Sequence, residues 1–267
     1  MSPLFNRRRF LGTSLAAVAA TAPWAPTRLT PEKSAAREYY ELRTYRLPTA
    51  QKRARLLEYL SGALLPALNR LGLTKIGVFT SLNTPNDFDV RVLIPYPTLE
   101  SFSSLTSRLE GDATYQRAAA DHFASSMKEA PYTRISSQFM RAFSSIPTIE
   151  LPEQTASKQP RVFELRTYES HNEDAARRKV EMFDEGETQL MRDVQLGPVL
   201  FGQMLVGDNM PNLTYLLCAE DLDAHTAHWE TFLSHPKWNE MKVLPRYTDT
   251  VSKITQWFLQ PADCSQI

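Results

Sequence analysis

The sequence has 267 residues, of which 42% are hydrophobic, with 30 basic and 30 acidic side chains. This apolar content is sufficient for ordinary cores and excludes a disordered chain. Without Arg7, Arg8 and Arg9 the count is 27 basic against 30 acidic residues, a net charge of −3. A weakly acidic protein has no overall attraction to nucleic acid or anionic lipid, so we expect no nucleic-acid partner.

Residues 1–30 have the pattern of a signal peptide followed by a proline-containing tether. Their apolar stretch, 10–22, is shorter than the roughly 20 residues that span a bilayer. Arg7 and Arg8 stand directly before it, in the twin-arginine export pattern. We expect export to the periplasm or the cell exterior, and no stable membrane span after leader removal. An ordinary secretory leader and an uncleaved anchor are the alternatives.

The two cysteines, Cys218 and Cys264, are too few for a disulfide scaffold. One bridge between them is an alternative. The favoured interpretation is a buried, unpaired Cys218 and a loose Cys264 in the tail.

An internal repeat dominates the rest of the chain. Residues Glu41–Tyr45 and Glu164–Tyr168 have the same sequence, ELRTY, and the pair Tyr132-Thr133 recurs as Tyr247-Thr248. These matches predict one repeat over 38–143 and a second over 161–260. The segment between them, 144–160, has the proline-rich, polar composition of a linker.

Each repeat shows the order β-α-β-β-α-β, which is the ferredoxin-like motif. In the first repeat, leucines at helical spacing mark a long helix up to Leu71, with Pro66 expected to kink it and Gly72 to end it. The sequence therefore predicts an α+β fold of two tandem ferredoxin-like repeats. Each has a four-stranded antiparallel sheet, and together they form an intrachain α/β-barrel.

The segments Tyr40–Tyr45 and Phe163–Tyr168 resemble the opening strand of NIPSNAP domains, and the later elements follow in that family's order. The resemblance covers both halves, although the first half is more divergent in its turn at 83–86. It implies the dimeric α/β-barrel group, in which two ferredoxin-like units face each other. The family has no agreed reaction, and its wider group includes cofactor-independent monooxygenases and haem enzymes.

The repeated strand supplies the candidate ligand-binding residues. Side chains alternate along a strand, so we expect Tyr40 and Leu42 to face the helices and the charged set to face the interior between the two sheets. The charged set is Glu41, Arg43 and Tyr45 with Glu164, Arg166 and Tyr168. Equivalent strands should bring Arg43 and Arg166 together near a pseudo-two-fold axis, each beside a glutamate.

Two interpretations of this set remain open. The arginines hold an anionic or oxygen-rich ligand in a polar cavity, or the Glu–Arg pairs satisfy each other and fix the packing. The second is favoured because buried charges require partners.

His225 and His228 lie three residues apart on a predicted helix, a spacing that can place two imidazoles on one face for a metal. The stretch is polar and offers no clear third ligand. A solvated helix face is therefore the favoured interpretation of these two histidines. The sequence predicts no bound metal and no cofactor. We find no nucleotide-binding, nucleophile-elbow or zinc-protease motif.

Two functions follow from these observations. The favoured one is an exported small-ligand-binding or scaffold protein. Such a protein is compatible with a homo-oligomer. The alternative is a cofactor-independent oxygenase or isomerase acting on a small organic molecule in the barrel. A closed cavity of about 300 Å³ or more would favour the enzyme, and a solid interior would favour the binding protein.

Overall fold

The computed structural model describes residues 36–267, so the predicted leader with Arg7 and Arg8 lies outside the described residues. Eight antiparallel strands close into one barrel in the order β1-β3-β2-β8-β5-β7-β6-β4. The strands are β1 Tyr39–Arg46, β2 Gly77–Ser81, β3 Val90–Tyr96, β4 Arg134–Ala142, β5 Val162–Glu169, β6 Pro198–Val206, β7 Asn212–Ala219 and β8 Lys253–Pro261. The predicted α+β class and the closed barrel are confirmed.

The two halves contribute four consecutive strands each, β4-β1-β3-β2 and β8-β5-β7-β6. They meet where β2 pairs with β8 and where β4 pairs with β6, both antiparallel. Because both junctions are hydrogen-bonded, the ladder has no free edge strand at either junction.

Helices cover the outside of the barrel. They are α1 Ala50–Tyr59, α2 Leu65–Arg70, α3 Leu99–Ser103, α4 Leu105–Gly111, α5 Ala113–Ala118, α6 Ala120–Phe123, α7 Gln154–Ser157, α8 Glu173–Met182, α9 Thr188–Asp193, α10 Leu222–Ser234 and α11 Pro236–Met241. None of the described helices is long and apolar enough to cross a membrane.

The predicted long helix of the first half is interrupted by a π-helical turn at Leu60–Leu64, and Pro66 follows in the first turn of α2. The second half has the same kind of turn at Phe183–Glu187, although no proline follows there. The interruption therefore belongs to the shared architecture and does not depend on Pro66.

The predicted linker is packed against the barrel. Ile146 and Ile149 are buried, and the Glu38 carboxylate accepts a hydrogen bond from the Ile149 amide. These two isoleucines anchor the segment to the rest of the protein. Cys218 is buried and Cys264 is half-buried, and both are free thiols.

Gly197 makes the tightest backbone approach in the second half. Its φ is +60°, and a Cβ there would lie 2.1 Å from the Cys218 carbonyl oxygen. The Gly197 carbonyl also accepts a hydrogen bond from the Cys218 amide. Only glycine combines this backbone conformation with this contact.

We expect Gly197→Ala to destabilise the fold by roughly 1–3 kcal/mol from backbone strain, with the overlap adding to this. Gly62→Ala is the matched control, because nothing lies within 4 Å of a Cβ at that helical glycine. The control should stabilise by roughly 0.5–1 kcal/mol. Urea unfolding of both variants measures the difference, and equal stabilities would contradict this account.

Candidate functional site

The repeated strand faces opposite to the prediction. Leu42 and Leu165 point into the barrel, where they join a core built from both halves. Tyr45 and Tyr168 instead pack with helix residues in two separate outer cores. Since residues two apart share a face, the whole charged set lies between sheet and helices. The barrel interior is enclosed on all sides, whereas a long side chain under the helices can still reach water.

The barrel interior is filled. The space remaining inside it is about 10 Å³, lined by side chains from all eight strands: Leu42, Phe79, Leu93, Met140, Leu165, Leu200, Thr214, Leu216 and Leu259. A void of this size holds at most one water molecule. The cavity that the oxygenase or isomerase alternative requires is therefore not found in the barrel.

In the first half, the Glu41 carboxylate is the centre of a buried cluster. Its Oε1 accepts hydrogen bonds from Arg43 Nε at 2.6 Å and from Ser137 Oγ at 2.7 Å. Its Oε2 accepts from the Tyr96 hydroxyl at 2.7 Å. Burial alone would raise the pKa of Glu41, but the Arg43 hydrogen bond and charge lower it below its ordinary value. The carboxylate is therefore ionised at neutral pH.

In the second half, Glu164 has a different set of partners. Oε1 accepts from Arg166 Nε at 2.6 Å, and Oε2 accepts from His225 Nε2 at 2.8 Å and from Trp229 Nε1 at 2.9 Å. An ionised carboxylate only accepts, so the Nε2 of His225 must carry a proton. Burial would raise the pKa of Glu164, but the His225 hydrogen bond and the Arg166 charge lower it.

The two arginines differ in what surrounds their terminal nitrogens. Arg166 donates from Nη1 to the Tyr168 hydroxyl at 3.2 Å and from Nη2 to Gln256 Oε1 at 2.9 Å. The Trp229 ring also covers its guanidinium, with 4.3 Å between Cζ and the ring centroid. Arg43 donates to Glu41 through Nε, and the Tyr45 and Tyr96 hydroxyls also lie near its guanidinium, whose charge and hydrogen bonding oppose the rise that burial gives the pKa of each tyrosine. The side chains are similarly accessible, at 21% for Arg43 and 18% for Arg166.

The expected meeting of Arg43 and Arg166 near a pseudo-two-fold axis is wrong. Each arginine pairs with the glutamate of its own half, under its own helices. The prediction failed because it placed both side chains between the sheets, where the apolar set lies.

For His225 and His228 the sequence favoured a solvated helix face. This prediction is wrong for His225, which is buried and contacts Glu164. His228 is half-buried, and its Nδ1 has no hydrogen-bond partner within the described residues. Residues 36–267 contain no group of three or more His, Cys, Asp or Glu side chains placed to hold a metal ion.

Sequence reasoning missed a second group of aromatic residues beside Arg43. The hydroxyls of Tyr59 and Tyr115 are 2.7 Å apart, and His122 stacks on Tyr59 with ring centroids 3.8 Å apart. Burial raises the pKa of Tyr115, and the Arg43 charge opposes the rise. Tyr59 and His122 also line a surface cleft of about 390 Å³. These positions lie in helices, so no strand alternation could associate them with Arg43.

A buried ion pair in α8 and the following turn was missed as well. Lys179 Nζ lies 2.6 Å from Glu187 Oε2, and the ammonium also faces the Phe183 ring at 4.4 Å. Burial raises the pKa of Glu187, and the Lys179 charge and hydrogen bond oppose the rise. Glu164 follows Glu41 by 123 residues, and the same offset places Leu56 and Leu64 at the corresponding first-half positions.

Because the first half folds with two leucines here, we expect K179L/E187L to be neutral or to stabilise by about 1–4 kcal/mol. Each single change leaves one buried charge unpaired and should cost about 3–5 kcal/mol. A double-mutant cycle measured by urea unfolding tests this. A double variant as unstable as the singles would show that the pair supports the fold.

The NIPSNAP family model matches residues 163–266, and no curated protein matches the sequence. A "putative monooxygenase" of Lactobacillus acidophilus NCFM is 10% identical, with a TM-score of 0.56 over 84% of this chain and 94% of its own. An anthrone oxidase-like protein is 12% identical, with a TM-score of 0.50 over 86% of this chain and 93% of its own. A NIPSNAP-like domain protein from Burkholderia xenovorans is 18% identical, with a TM-score of 0.35 over 39% and 86%.

The match of the family model confirms the resemblance to NIPSNAP domains for residues 163–266. The likeness to the two longer structures, at such low identity, shows the fold alone and transfers no chemistry.

Proposed function

We propose that this is an exported small-ligand-binding protein whose ligand is an anionic or oxygen-rich molecule held by Arg43. The observation that carries the proposal is the contrast between the two arginines. The second half fills the surroundings of Arg166 with its own side chains. The first half has no amide or indole side chain at the corresponding places: Glu41 holds Arg43 through Nε, and the Tyr45 and Tyr96 hydroxyls lie near its guanidinium.

The geometry prepares Arg43 for an oxygen ligand. The Glu41 carboxylate holds the guanidinium through Nε, so its orientation is fixed before any ligand arrives. The opposite edge of the group presents Nη donors in the fork that matches a carboxylate or phosphate. Glu41 also cancels the charge of Arg43, which favours a ligand of low charge over a polyanion.

A position under the helices, rather than within the barrel, suits a ligand that exchanges with solvent. The filled barrel interior has no room for a small organic molecule. The Arg43 side chain keeps an accessible fraction of 21%, and Tyr59 and His122 border an open cleft nearby.

We also propose that both halves are NIPSNAP-like ferredoxin-like repeats, over 38–143 and 161–260. The equivalent strand orders β4-β1-β3-β2 and β8-β5-β7-β6 support this. Equivalent registers support it too, since Arg43 lies opposite Ser137 and Arg166 opposite Gln256.

Replacing Arg43 by Gln should remove a small molecule that co-purifies with the protein, because the neutral amide offers neither the charge nor the paired donors. Native mass spectrometry of protein purified from its own cell envelope would measure the loss of added mass. Arg141→Gln is the matched control, because Arg141 is an exposed arginine. Retention of the ligand by Arg43→Gln would contradict the proposal.

Export by the twin-arginine route is proposed from the leader. Replacing Arg7 and Arg8 by Lys should leave precursor in the cytoplasm, because that pattern requires the arginine pair. Fractionation and immunoblotting would show where the protein accumulates. Normal secretion of the variant would exclude this route but leave export itself standing.

A further inference from the structure

The two repeats carry opposite net charges. Residues 38–143 hold 13 Lys and Arg against 10 Asp and Glu, a formal charge of +3, whereas residues 161–260 hold 10 against 16, a formal charge of −6. Each repeat occupies its own side of the barrel, with four consecutive strands. Two copies of the chain therefore attract each other when the first half of one faces the second half of the other, and like halves repel.

The first half presents two exposed apolar side chains where α6 ends. Phe123 exposes 53% of its surface, and Met127, in the short turn that follows, exposes 93%. The Phe123 ring is held from behind by Tyr59 and Tyr115, with ring centroids 6.4 and 5.9 Å away. Residues 123–127, here called the apolar knob, therefore present carbon surface to solvent on an aromatic base.

The segment that carries the apolar knob, 117–129, has a surplus of positive charge. The exposed cations Arg117 and Lys128 stand against one exposed acid, Asp121. Glu129 is neutralised by Lys52, whose ammonium lies 3.3 Å from the carboxylate. The local charge of the knob therefore has the same sign as the charge of its whole repeat.

The second half has a cleft of about 510 Å³, lined by α9 with the turn before it and by α11 with the loop after it. Leu190, Met241, Leu244 and Tyr247 form its apolar lining. Leu244 is 39% exposed, and the next residue in the chain, Val243, is 63% exposed. A cleft of this size is in the range of sites that enclose a small organic group, so it can admit a protruding aromatic or thioether side chain.

The charge around this second-half cleft is negative. Glu185, Asp193 and Glu240 line it together with Lys237 and Arg246. Arg246 is paired with Glu185 at 2.6 Å, which leaves Asp193 and Glu240 against Lys237. The second-half cleft is therefore an apolar recess with a surplus of carboxylate, the complement of the cationic apolar knob.

We propose that the apolar knob of one copy docks in the second-half cleft of another copy. Phe123 and Met127 then pack on the apolar lining of the cleft, and Lys128 approaches its unpaired carboxylates. The knob and the cleft belong to different halves of the chain, so the contact joins unlike surfaces and is heterologous. This inference goes beyond ligand binding at Arg43 and does not rest on it.

Sedimentation velocity of the purified protein over a range of concentrations tests the contact. The protein should form a dimer or a larger species, and association should weaken from about 0.01 M to about 0.15 M salt, because the Debye length shrinks from about 30 Å to about 8 Å. Met127→Glu should weaken association about tenfold or more, since it brings an acid to a carboxylate-rich cleft. Leu99→Glu is the matched control, because Leu99 is a 52% exposed first-half leucine outside the knob.

A heterologous contact also predicts complementation between two variants. Leu244→Lys should lose association through its altered cleft while its knob stays intact, and Met127→Glu keeps an intact cleft. An equimolar mixture of the two should recover a 1:1 complex that neither variant forms alone. Val243→Lys, at the more exposed neighbouring position, takes the place of Leu244→Lys if circular dichroism shows that Leu244→Lys is unfolded.

Two results would overturn the inference. One is a protein that stays monomeric at every concentration and at low salt. The other is an oligomer that Met127→Glu and the cleft variant leave intact, or that their mixture fails to restore. Arg43→Gln should associate as the unaltered protein does, so failure of the proposed ligand site would leave this test unaffected.

Discussion

Two charged residues on one face of a strand, a glutamate and the arginine two positions later, organise each half of the protein. In both halves the carboxylate lies 2.6 Å from the arginine Nε under the helices. Neither charge could be buried alone, because the desolvation cost is recovered only by close pairing and further hydrogen bonds. The hydroxyl, imidazole and indole donors around Glu41 and Glu164 supply those further bonds.

This requirement explains how the barrel is arranged. Apolar residues from every strand fill most of the interior. One charged side chain shares this face, because Arg91, two residues from Leu93 on β3, is buried against Ser81 and the Trp257 ring. The same requirement leaves the arginine tips at the border of the helical layer, where about a fifth of each side chain stays accessible.

The two halves surround this common pair with different side chains. The second half has Trp229 and Gln256 around its arginine, and Lys179 with Glu187 under its long helix. The first half has the small residue Ser137 opposite Arg43 in the strand register. The two arginines therefore have the same glutamate partner but different outer neighbours.

The sequence by itself determined the α+β class and showed the ELRTY motif twice, because these depend on identical residues and on periodicity within short segments. It also identified Glu41, Arg43, Glu164 and Arg166 as candidate site residues, because charged side chains on a buried strand require partners. Which face they occupy was decided only by the tertiary structure. Both faces of a barrel strand are covered, so alternation gives two sets of residues without saying which set turns inward. That choice depends on closure of the barrel, an interaction between residues distant in the chain. His225 and Trp229, the partners of Glu164, and Tyr59 lie on helices. The way these helices pack onto the sheet cannot be predicted from the sequence pattern of one segment.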